Sequence, residues 1–172
     1  PKYASPQELE FIANRYNEME AAVHATDGIN PTTGRHYSEY LDMESYARYY
    51  LLNELLGNLD GGWASFMMYK DTDAIEPKFY AGPAWDYDRI LDNPGFMKNL
   101  IAHENELFVN GKKGKTGVAF SGGLLYYLCK HSDFQQIVRD VYMDELSHAC
   151  HDYLEKSPFD SLAALLSHEA IS

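Results

Sequence analysis

Cysteine is scarce in this chain of 172 residues, which contains only Cys129 and Cys150. Two cysteines do not make a disulfide framework, and no Cys-x-x-Cys pair or mixed His and Cys cluster indicates a zinc site. Because cysteine is among the most buried residue types, we expect two free, buried thiols. A disulfide stays open as an alternative if their helices are neighbours and the compartment is oxidising.

Basic residues are also few, with 14 lysines and arginines against 26 aspartates and glutamates and a net charge of −12. A surface this acidic repels nucleic acids and anionic membranes, so neither is an expected partner. The acidity would suit metal cations and basic peptide substrates, although an ordinary solvated surface explains most of it.

Long apolar runs are missing as well, since no stretch approaches the roughly 20 residues that a membrane-spanning helix needs. No signal peptide is visible either. The chain begins at Pro1 and not at Met, however, so we expect a processed or excised product, and the missing signal does not indicate the cytosol. An apolar content of 45% with 14% aromatic residues is enough to fold. We expect residues 1–172 to form a single domain with one core.

The first helix has a clear start signal. The run Ser5-Pro6-Gln7-Glu8 offers an N-cap hydroxyl, a proline in the first turn and a glutamate three residues after the cap. The apolar residues that follow at helical spacing, and that should share one buried face, are Leu9, Ile12, Ala13, Tyr16, Met19 and Val23.

A second helix is predicted over residues 43–56, with Asp42 as its N-cap and Gly57 as its C-cap. It is apolar over a wide face that includes Ala47, Tyr50, Leu51 and Leu55. We therefore expect it to be buried at the centre of the fold.

Beyond this helix, the aromatic-rich runs 65–70 and 78–81 flank a polar turn and predict an antiparallel hairpin. Residues 89–121 should be irregular apart from a short helix near 97–103, and helical patterns return from Gly122, over 133–154 and over 159–170. The residues expected to face inward there are Leu124, Leu125, Leu128, Phe134, Ile137, Val138, Val141, Leu146 and Cys150. The predicted fold class is α+β, mostly α, with a central helix, one hairpin and a C-terminal helical bundle.

Two acidic loops flank the predicted hairpin. Asp60 lies in a Gly-rich stretch over residues 57–62, and Asp86 lies in the stretch over residues 82–88. Asp beside Gly is common turn chemistry, and from the pattern alone this is the more frequent explanation. Two carboxylate loops joined by a hairpin also suit metal-dependent phosphoryl transfer. A glycosidase, with two carboxyl groups about 5–10 Å apart across a sugar cleft, is a further alternative.

The order of these parts resembles the spore coat protein H (CotH) kinase family. The matching segments are Tyr49-Tyr50-Leu51-Leu52-Asn53-Glu54-Leu55-Leu56-Gly57-Asn58-Leu59-Asp60, Tyr69-Lys70-Asp71 and Gly82-Pro83-Ala84-Trp85-Asp86-Tyr87-Asp88. The likeness is strong over residues 42–90 and looser on either side. It is fairly specific, because it needs both acidic loops in order with a hairpin between them.

The resemblance implies a kinase-like fold and ATP-dependent phosphorylation of secreted or coat proteins on serine. It assigns Asp60 as the catalytic aspartate that accepts the proton of the substrate hydroxyl, and Asp86 as the metal ligand, with Asp88 as a neighbouring carboxylate. The metal would be Mg²⁺ or Mn²⁺. Ser65 stands five residues after Asp60, where protein kinases place a metal-binding Asn, and its hydroxyl would bind a second metal more weakly.

The glycine-rich loop and the strand-borne Lys paired with a helical Glu, which kinases use to hold ATP, have no counterpart before residue 42. The chain is therefore expected to be the C-lobe part of an atypical Ser/Thr kinase, inactive by itself and active in the full-length protein. The implied location is extracytoplasmic, either secreted, on the cell surface or in a spore coat. The alternative is a non-catalytic structural or binding module of such a coat that keeps the fold.

Several residues near the acidic loops have two interpretations. Asn58 would touch a phosphate or stabilise its loop, or else form an ordinary turn. Lys70 would contact a phosphate, although a lysine at a strand end is usually solvated. Trp63 and Trp85 would line a pocket, but core packing is the more frequent role for each.

Overall fold

The computed structural model of the protein describes residues 4–56, 58, 65–88 and 123–156. They form mostly helices with a small two-stranded antiparallel sheet, which confirms the predicted mostly α, α+β composition. The elements in chain order are α1 (Pro6–His24), a 3₁₀ helix (Tyr37–Glu39), α2 (Met43–Leu56), β1 (Met68–Tyr69), β2 (Tyr80–Ala81), α3 (Leu124–Leu128), α4 (Ser132–Val141), a π-helical turn (Tyr142–Leu146) and α5 (Ser147–Lys156). The chain divides into two compact units, residues 1–138 and residues 139–172. The single domain and the kinase-like C-lobe stay predictions.

Helix α1 begins at the predicted capping box. The backbone N–H of Glu8 donates to Ser5 Oγ at 3.3 Å, and the backbone N–H of Ser5 donates to Glu8 Oε2 at 2.7 Å. The predicted buried face is confirmed only in the second half of the helix, where Met19 and Val23 are buried. The residues of the first half that were expected to be buried, and are exposed, are Leu9, Ile12 and Ala13. Helical spacing identifies residues that share a face, but not how far the neighbouring elements extend along it.

Helix α2 has the predicted bounds, and its N-cap is Asp42, whose Oδ1 accepts from the backbone N–H of Ser45 at 2.9 Å. Its most buried residues are Met43, Tyr46, Ala47, Tyr49, Tyr50 and Asn53. The expectation that Leu55 faces the core is wrong, because this side chain is 52% exposed. The tyrosine-rich side is buried instead, where hydroxyl groups find acceptors such as the backbone carbonyl of Ser65, 3.2 Å from Tyr49 OH.

The predicted hairpin is confirmed, with strands of two residues each in the register Met68↔Ala81 and Tyr69↔Tyr80. Its second strand is fastened to the start of α2. Phe79 donates its N–H to the carbonyl of Tyr40 at 2.7 Å, and the carbonyl of Phe79 accepts from Asp42 N–H at 2.9 Å. The chain that leaves β2 towards Asp86 therefore starts from a fixed point beside the N-terminus of α2.

Helix α3 packs against α1, and the first turn of α4 is joined to the 3₁₀ helix. As predicted, Leu125 and Leu128 of α3 and Phe134 of α4 are buried. Tyr37 donates its hydroxyl to Asp133 Oδ1 at 2.6 Å, which joins the 3₁₀ helix to the first turn of α4. The predicted long helix over 133–154 is present as α4, the π-helical turn and α5 in succession.

Cys129 is buried and Cys150 is half-buried, and both are free thiols. Burial raises the pKa of Cys129 to about 12, so this thiol is un-ionised and poorly nucleophilic at neutral pH. The predicted irregular segment over 89–121, with its short helix, and the predicted last helix over 159–170 lie outside the described residues. Within the described helices, none combines the length and the apolar character that crossing a membrane requires.

Candidate functional site

The structure describes five of the six residues predicted for the site: Asn58, Ser65, Lys70, Asp86 and Asp88. Asp60 lies outside the described residues, between residues 58 and 65. An antiparallel hairpin brings its two flanking loops to the same end, so the sequence predicts that Asp60 and Asp86 converge on one cleft. This convergence stays a prediction.

Asp86 is exposed and lies in the loop that follows β2. Its Oδ2 accepts a hydrogen bond from Ser65 Oγ at 3.2 Å, across 21 residues of chain. Ser65 itself is only 8% exposed. The structure thus brings together two of the residues that the sequence singled out for separate reasons.

The backbone of Asp86 has a φ of 61°, and it is the only described residue other than glycine with a positive φ. A side chain in this left-handed region is uncommon, and Asp and Asn are among the residues that tolerate it best. Such conformations persist where the surroundings determine them, and they concentrate at binding and catalytic sites. The unusual backbone coincides with the predicted metal ligand.

A buried polar network lies directly beneath this loop. Its centre is Asn53 of α2, which is fully buried, as is Asn58. Asn53 Oδ1 accepts from Asn58 Nδ2 at 2.8 Å and from the hydroxyl of Tyr87 at 3.2 Å. Its Nδ2 donates to the backbone carbonyl of Tyr49 at 2.7 Å. The amide of Asn53 is therefore fixed in orientation by bonds on both of its ends.

The two tyrosine hydroxyls of the network remain protonated. Burial raises the pKa of Tyr49 to about 12, and burial also raises the pKa of Tyr87. Both groups are therefore hydrogen-bond donors throughout the physiological pH range. The network joins α2, the segment at Asn58 and the loop of Asp86 by bonds that do not depend on pH near neutrality.

Lys70 lies in a different set of contacts. Its side chain is only 1% exposed, and Nζ bonds to a carboxylate oxygen of Asp73. The same Nζ donates to the carbonyl of Asp71 at 2.9 Å and to that of Glu76 at 3.4 Å. The hydrogen bond from Lys70, followed by that from Arg15, holds the pKa of Asp73 below its ordinary value. A phosphate contact by Lys70 stays a prediction and would require these bonds to open.

The surface around Asp86 is open. Trp85 is 57% exposed, so the expectation that it packs in the core is wrong, whereas Trp63 lies outside the described residues. An open groove of about 250 Å³ lies beside the loop, between α2 and residues 81–84. Arg48 lines this groove and pairs with Glu44 at 2.8 Å.

The donor atoms at Asp86 fit a hard divalent cation in kind. The carboxylates of Asp86 and Asp88 and the hydroxyl of Ser65 are oxygen ligands of the type that Mg²⁺ and Mn²⁺ prefer. Among the residues that the structure describes, no three His, Cys, Asp or Glu side chains are grouped to hold a metal ion. A cation at Asp86 would complete its coordination with water, phosphate oxygens or residues outside those ranges, as Mg²⁺ usually does in phosphoryl-transfer sites.

The sequence did not single out Asn53 or Tyr87 for any role. The available signal was a polar residue within the apolar run of α2 and a tyrosine between two aspartates. Neither signal identifies its partner, because Tyr87 and Asn53 are 34 residues apart and meet only through the path of the hairpin.

Comparison with known proteins assigns the chain to a family. No curated protein and no solved structure is significantly similar to the chain. A family model described as CotH kinase protein matches residues 3–169, which is nearly the whole chain. This match confirms the resemblance carried by the two acidic loops, and the chain belongs to the CotH kinase family.

Proposed function

We propose that this chain supplies the metal-binding and proton-accepting side of an ATP- and Mg²⁺- or Mn²⁺-dependent protein kinase that phosphorylates serine in extracytoplasmic proteins. The observation that carries the proposal is Asp86: an exposed carboxylate, held in a left-handed backbone and hydrogen-bonded by Ser65, in a chain that the CotH kinase model matches.

Asp86 supplies the carboxylate oxygens for the cation. The hydrogen bond from Ser65 restricts the rotation of this carboxylate, and restricted ligands lose less entropy when they bind. Asp88, exposed in the same loop, adds negative charge that attracts a divalent cation to the loop. When bound, the cation would bridge the phosphates of ATP and neutralise charge that develops during transfer.

Asp60 is the proposed acceptor of the proton from the substrate hydroxyl. Asn58, two residues before it in the chain, is fully buried and anchored to Asn53. The proposed acceptor thus follows an anchored residue by two positions, which suits a group that must meet a hydroxyl at reacting distance.

The substrate class follows from charge and from the family. With a net charge of −12, the chain would attract basic peptide segments and repel acidic ones. A serine flanked by Lys or Arg is therefore the preferred acceptor in this proposal, and secreted, cell-surface or coat proteins are the proposed context.

Metal binding tests the proposal without requiring turnover. Calorimetric titration of the protein with Mn²⁺ should show one site, and Asp86→Asn should abolish it while leaving the thermal unfolding midpoint nearly unchanged. Asp27→Asn is the matched control. Asp27 is also an exposed loop aspartate, and its Oδ1 accepts from the backbone N–H of Ile29 at 3.0 Å, which an Asn oxygen can also do.

Both Asn variants remove one negative charge from an exposed loop, so a general loss of acidity would affect them equally. Equal Mn²⁺ affinity in the wild type and in Asp86→Asn would contradict the assignment of Asp86 as a metal ligand. Asp86 would then be an ordinary turn residue. A wild-type protein that binds neither Mn²⁺ nor Mg²⁺ would instead favour a non-catalytic coat or surface module.

A further inference from the structure

We propose that Asn53 is a positioning residue that couples the Asn58 segment to the Asp86 loop, and that Tyr87 is the contact through which it acts on Asp86. The inference rests on the proposed function for its consequence in metal binding. Its structural part, the coupling of two loops through one buried amide, rests on the network alone.

The first step is that the side-chain carbonyl oxygen of Asn53 has both of its acceptor positions filled. Its Oδ1 accepts two hydrogen bonds, from Asn58 Nδ2 at 2.8 Å and from Tyr87 OH at 3.2 Å. Its Nδ2 donates to a backbone carbonyl of its own helix at 2.7 Å. A buried carbonyl oxygen with both partners present cannot lose one without leaving a polar group unpaired. The two loops therefore share a single acceptor on a rigid helix.

The second step is that the contact with Tyr87 is next to the strained residue. Asp86 has a φ of 61°, a left-handed conformation that residues other than glycine seldom adopt, although Asp and Asn tolerate it best. Such a conformation needs an external restraint on its neighbours. The hydroxyl of Tyr87, fixed on Asn53 and within reach of Asn58 and Tyr49, supplies that restraint one residue further along.

The third step is that the connection at Asn58 is equally tight. Asn58 has no exposed surface, and its backbone N–H donates to the carbonyl of Asn53 at 2.9 Å. Both the backbone and the side chain of Asn58 are therefore bonded to the same residue of α2. Loss of the Tyr87 hydroxyl should therefore also loosen the segment at Asn58, 29 residues earlier in the chain.

The decisive variant is Tyr87→Phe, which removes one hydroxyl and keeps the ring. Asn53→Leu would strip all three bonds but would also leave buried donors unpaired and could unfold the protein. Tyr46→Phe is the matched control. Tyr46 is a buried tyrosine of α2, the helix that carries Asn53, whereas Tyr87 is half-buried. Among the described bonds, the Tyr46 hydroxyl contacts only the sulfur of Met68, at 3.9 Å.

Two measurements are made on each variant. The first is the Mn²⁺ dissociation constant, which should rise about fivefold in Tyr87→Phe, equivalent to about 1 kcal/mol, and stay unchanged in Tyr46→Phe. The second is hydrogen exchange. In Tyr87→Phe the peptides that contain Asn58 and those that contain Asp86 should both exchange several-fold faster, whereas Tyr46→Phe should leave both unchanged.

The two measurements separate this inference from the proposed function. If the wild type binds no Mn²⁺, the proposed function fails and the exchange data alone decide the coupling. Faster exchange confined to the Asp86 side in Tyr87→Phe would overturn the coupling of the two loops through this network. Coupled exchange with unchanged Mn²⁺ affinity would overturn the positioning role and leave a purely structural network.

Discussion

The left-handed backbone of Asp86 makes a prediction that separates its conformational role from its charge. Three substitutions at this position, to Asn, Gly and Ala, all remove the carboxylate. They differ in how well they accept a φ of 61° and in whether they can still accept the hydrogen bond from Ser65 Oγ, 3.2 Å away.

The expected magnitudes follow from these two contacts. Ala suffers a left-handed penalty of about 1–2 kcal/mol and has no side-chain acceptor. Loss of the acceptor adds about 0.5–1.5 kcal/mol, nearer the lower end because Asp86 is exposed. Asn keeps both the conformational tolerance and the acceptor, so its cost should be within about 0.5 kcal/mol of zero. Gly loses the acceptor but has no left-handed penalty.

The predicted order of stability is therefore Asp close to Asn, then Gly, then Ala, with Gly about 1 kcal/mol more stable than Ala. This is the reverse of the order at an ordinary helix or strand position, where Gly is the less stable residue. Urea unfolding of the four proteins, with equal slopes as a check on the unfolded state, gives the differences. An Ala variant as stable as the Gly variant would refute a left-handed Asp86, whatever the metal affinities are.

Three further substitutions test the supporting fold. Gly28→Ala should destabilise the protein by about 2–4 kcal/mol, because φ is +74° and the added Cβ would lie 2.7 Å from ring atoms of buried Tyr37. Gly34→Ala is the control, with φ +72° and nothing within 4 Å of the added Cβ, and it should cost only about 1 kcal/mol. Equal losses of stability in urea unfolding would contradict the packing at Gly28. Burial by itself would raise the pKa of Asp133, but the hydrogen bond from Tyr37, together with backbone hydrogen bonds and nearby His36, keeps this pKa below its ordinary value. The stabilisation from the Tyr37 bond is therefore present above the unfolded pKa of about 3.9 and is lost as pH falls through the lower folded value. Tyr37→Phe should therefore lower the free energy of unfolding by about 1–2 kcal/mol at pH 7. This loss of stability relative to the wild type should stay constant down to about pH 4 and shrink only below it. A loss that already vanishes by pH 5 would contradict the assignment.

The element boundaries that were predictable from the sequence are those set by short-range chemistry. The hydroxyl of Ser5 and the carboxylate of Asp42 each bond to a backbone N–H three residues later, within the segment that the sequence displays. The starts of α1 and α2 were confirmed for that reason, whereas the predicted C-cap Gly57 lies outside the described residues. The extent of the strands was less accurate, because strand length depends on the partner strand as well as on the local pattern.

Burial was predictable only in part, because periodicity does not reveal what covers a face. Leu55 and Trp85 were both expected inside, and they are 52% and 57% exposed. The side of α2 that is buried carries tyrosines, whose hydroxyls need partners such as the carbonyl of Ser65. The partners of Tyr46 and Tyr49 come from residues 65–68, outside the helix, so this burial could not be read from α2 alone.

The candidate site was also predictable only in part. Asp86 and Ser65 were identified from motif position, and their contact at 3.2 Å was not predicted by either position. Asn53 was quoted within a motif but received no role, because its bond to Tyr87 spans 34 residues and depends on the register of the hairpin. Hydrophobic periodicity does not identify long-range polar networks, because each polar residue of the network only interrupts the apolar pattern of its own segment.

Helix α2 reaches the Asp86 loop by two separate routes. On one side, Tyr49 OH donates to the carbonyl of Ser65, and Ser65 Oγ donates to Asp86. On the other side, Asn53 accepts from Tyr87, the next residue in the chain. A carboxylate restrained on both sides by bonds to one rigid helix can be exposed to solvent and still keep a fixed direction. A divalent cation needs an exposed site to enter and fixed ligands to bind tightly. An unsupported surface loop would give exposure without fixed ligands, whereas this double attachment allows both.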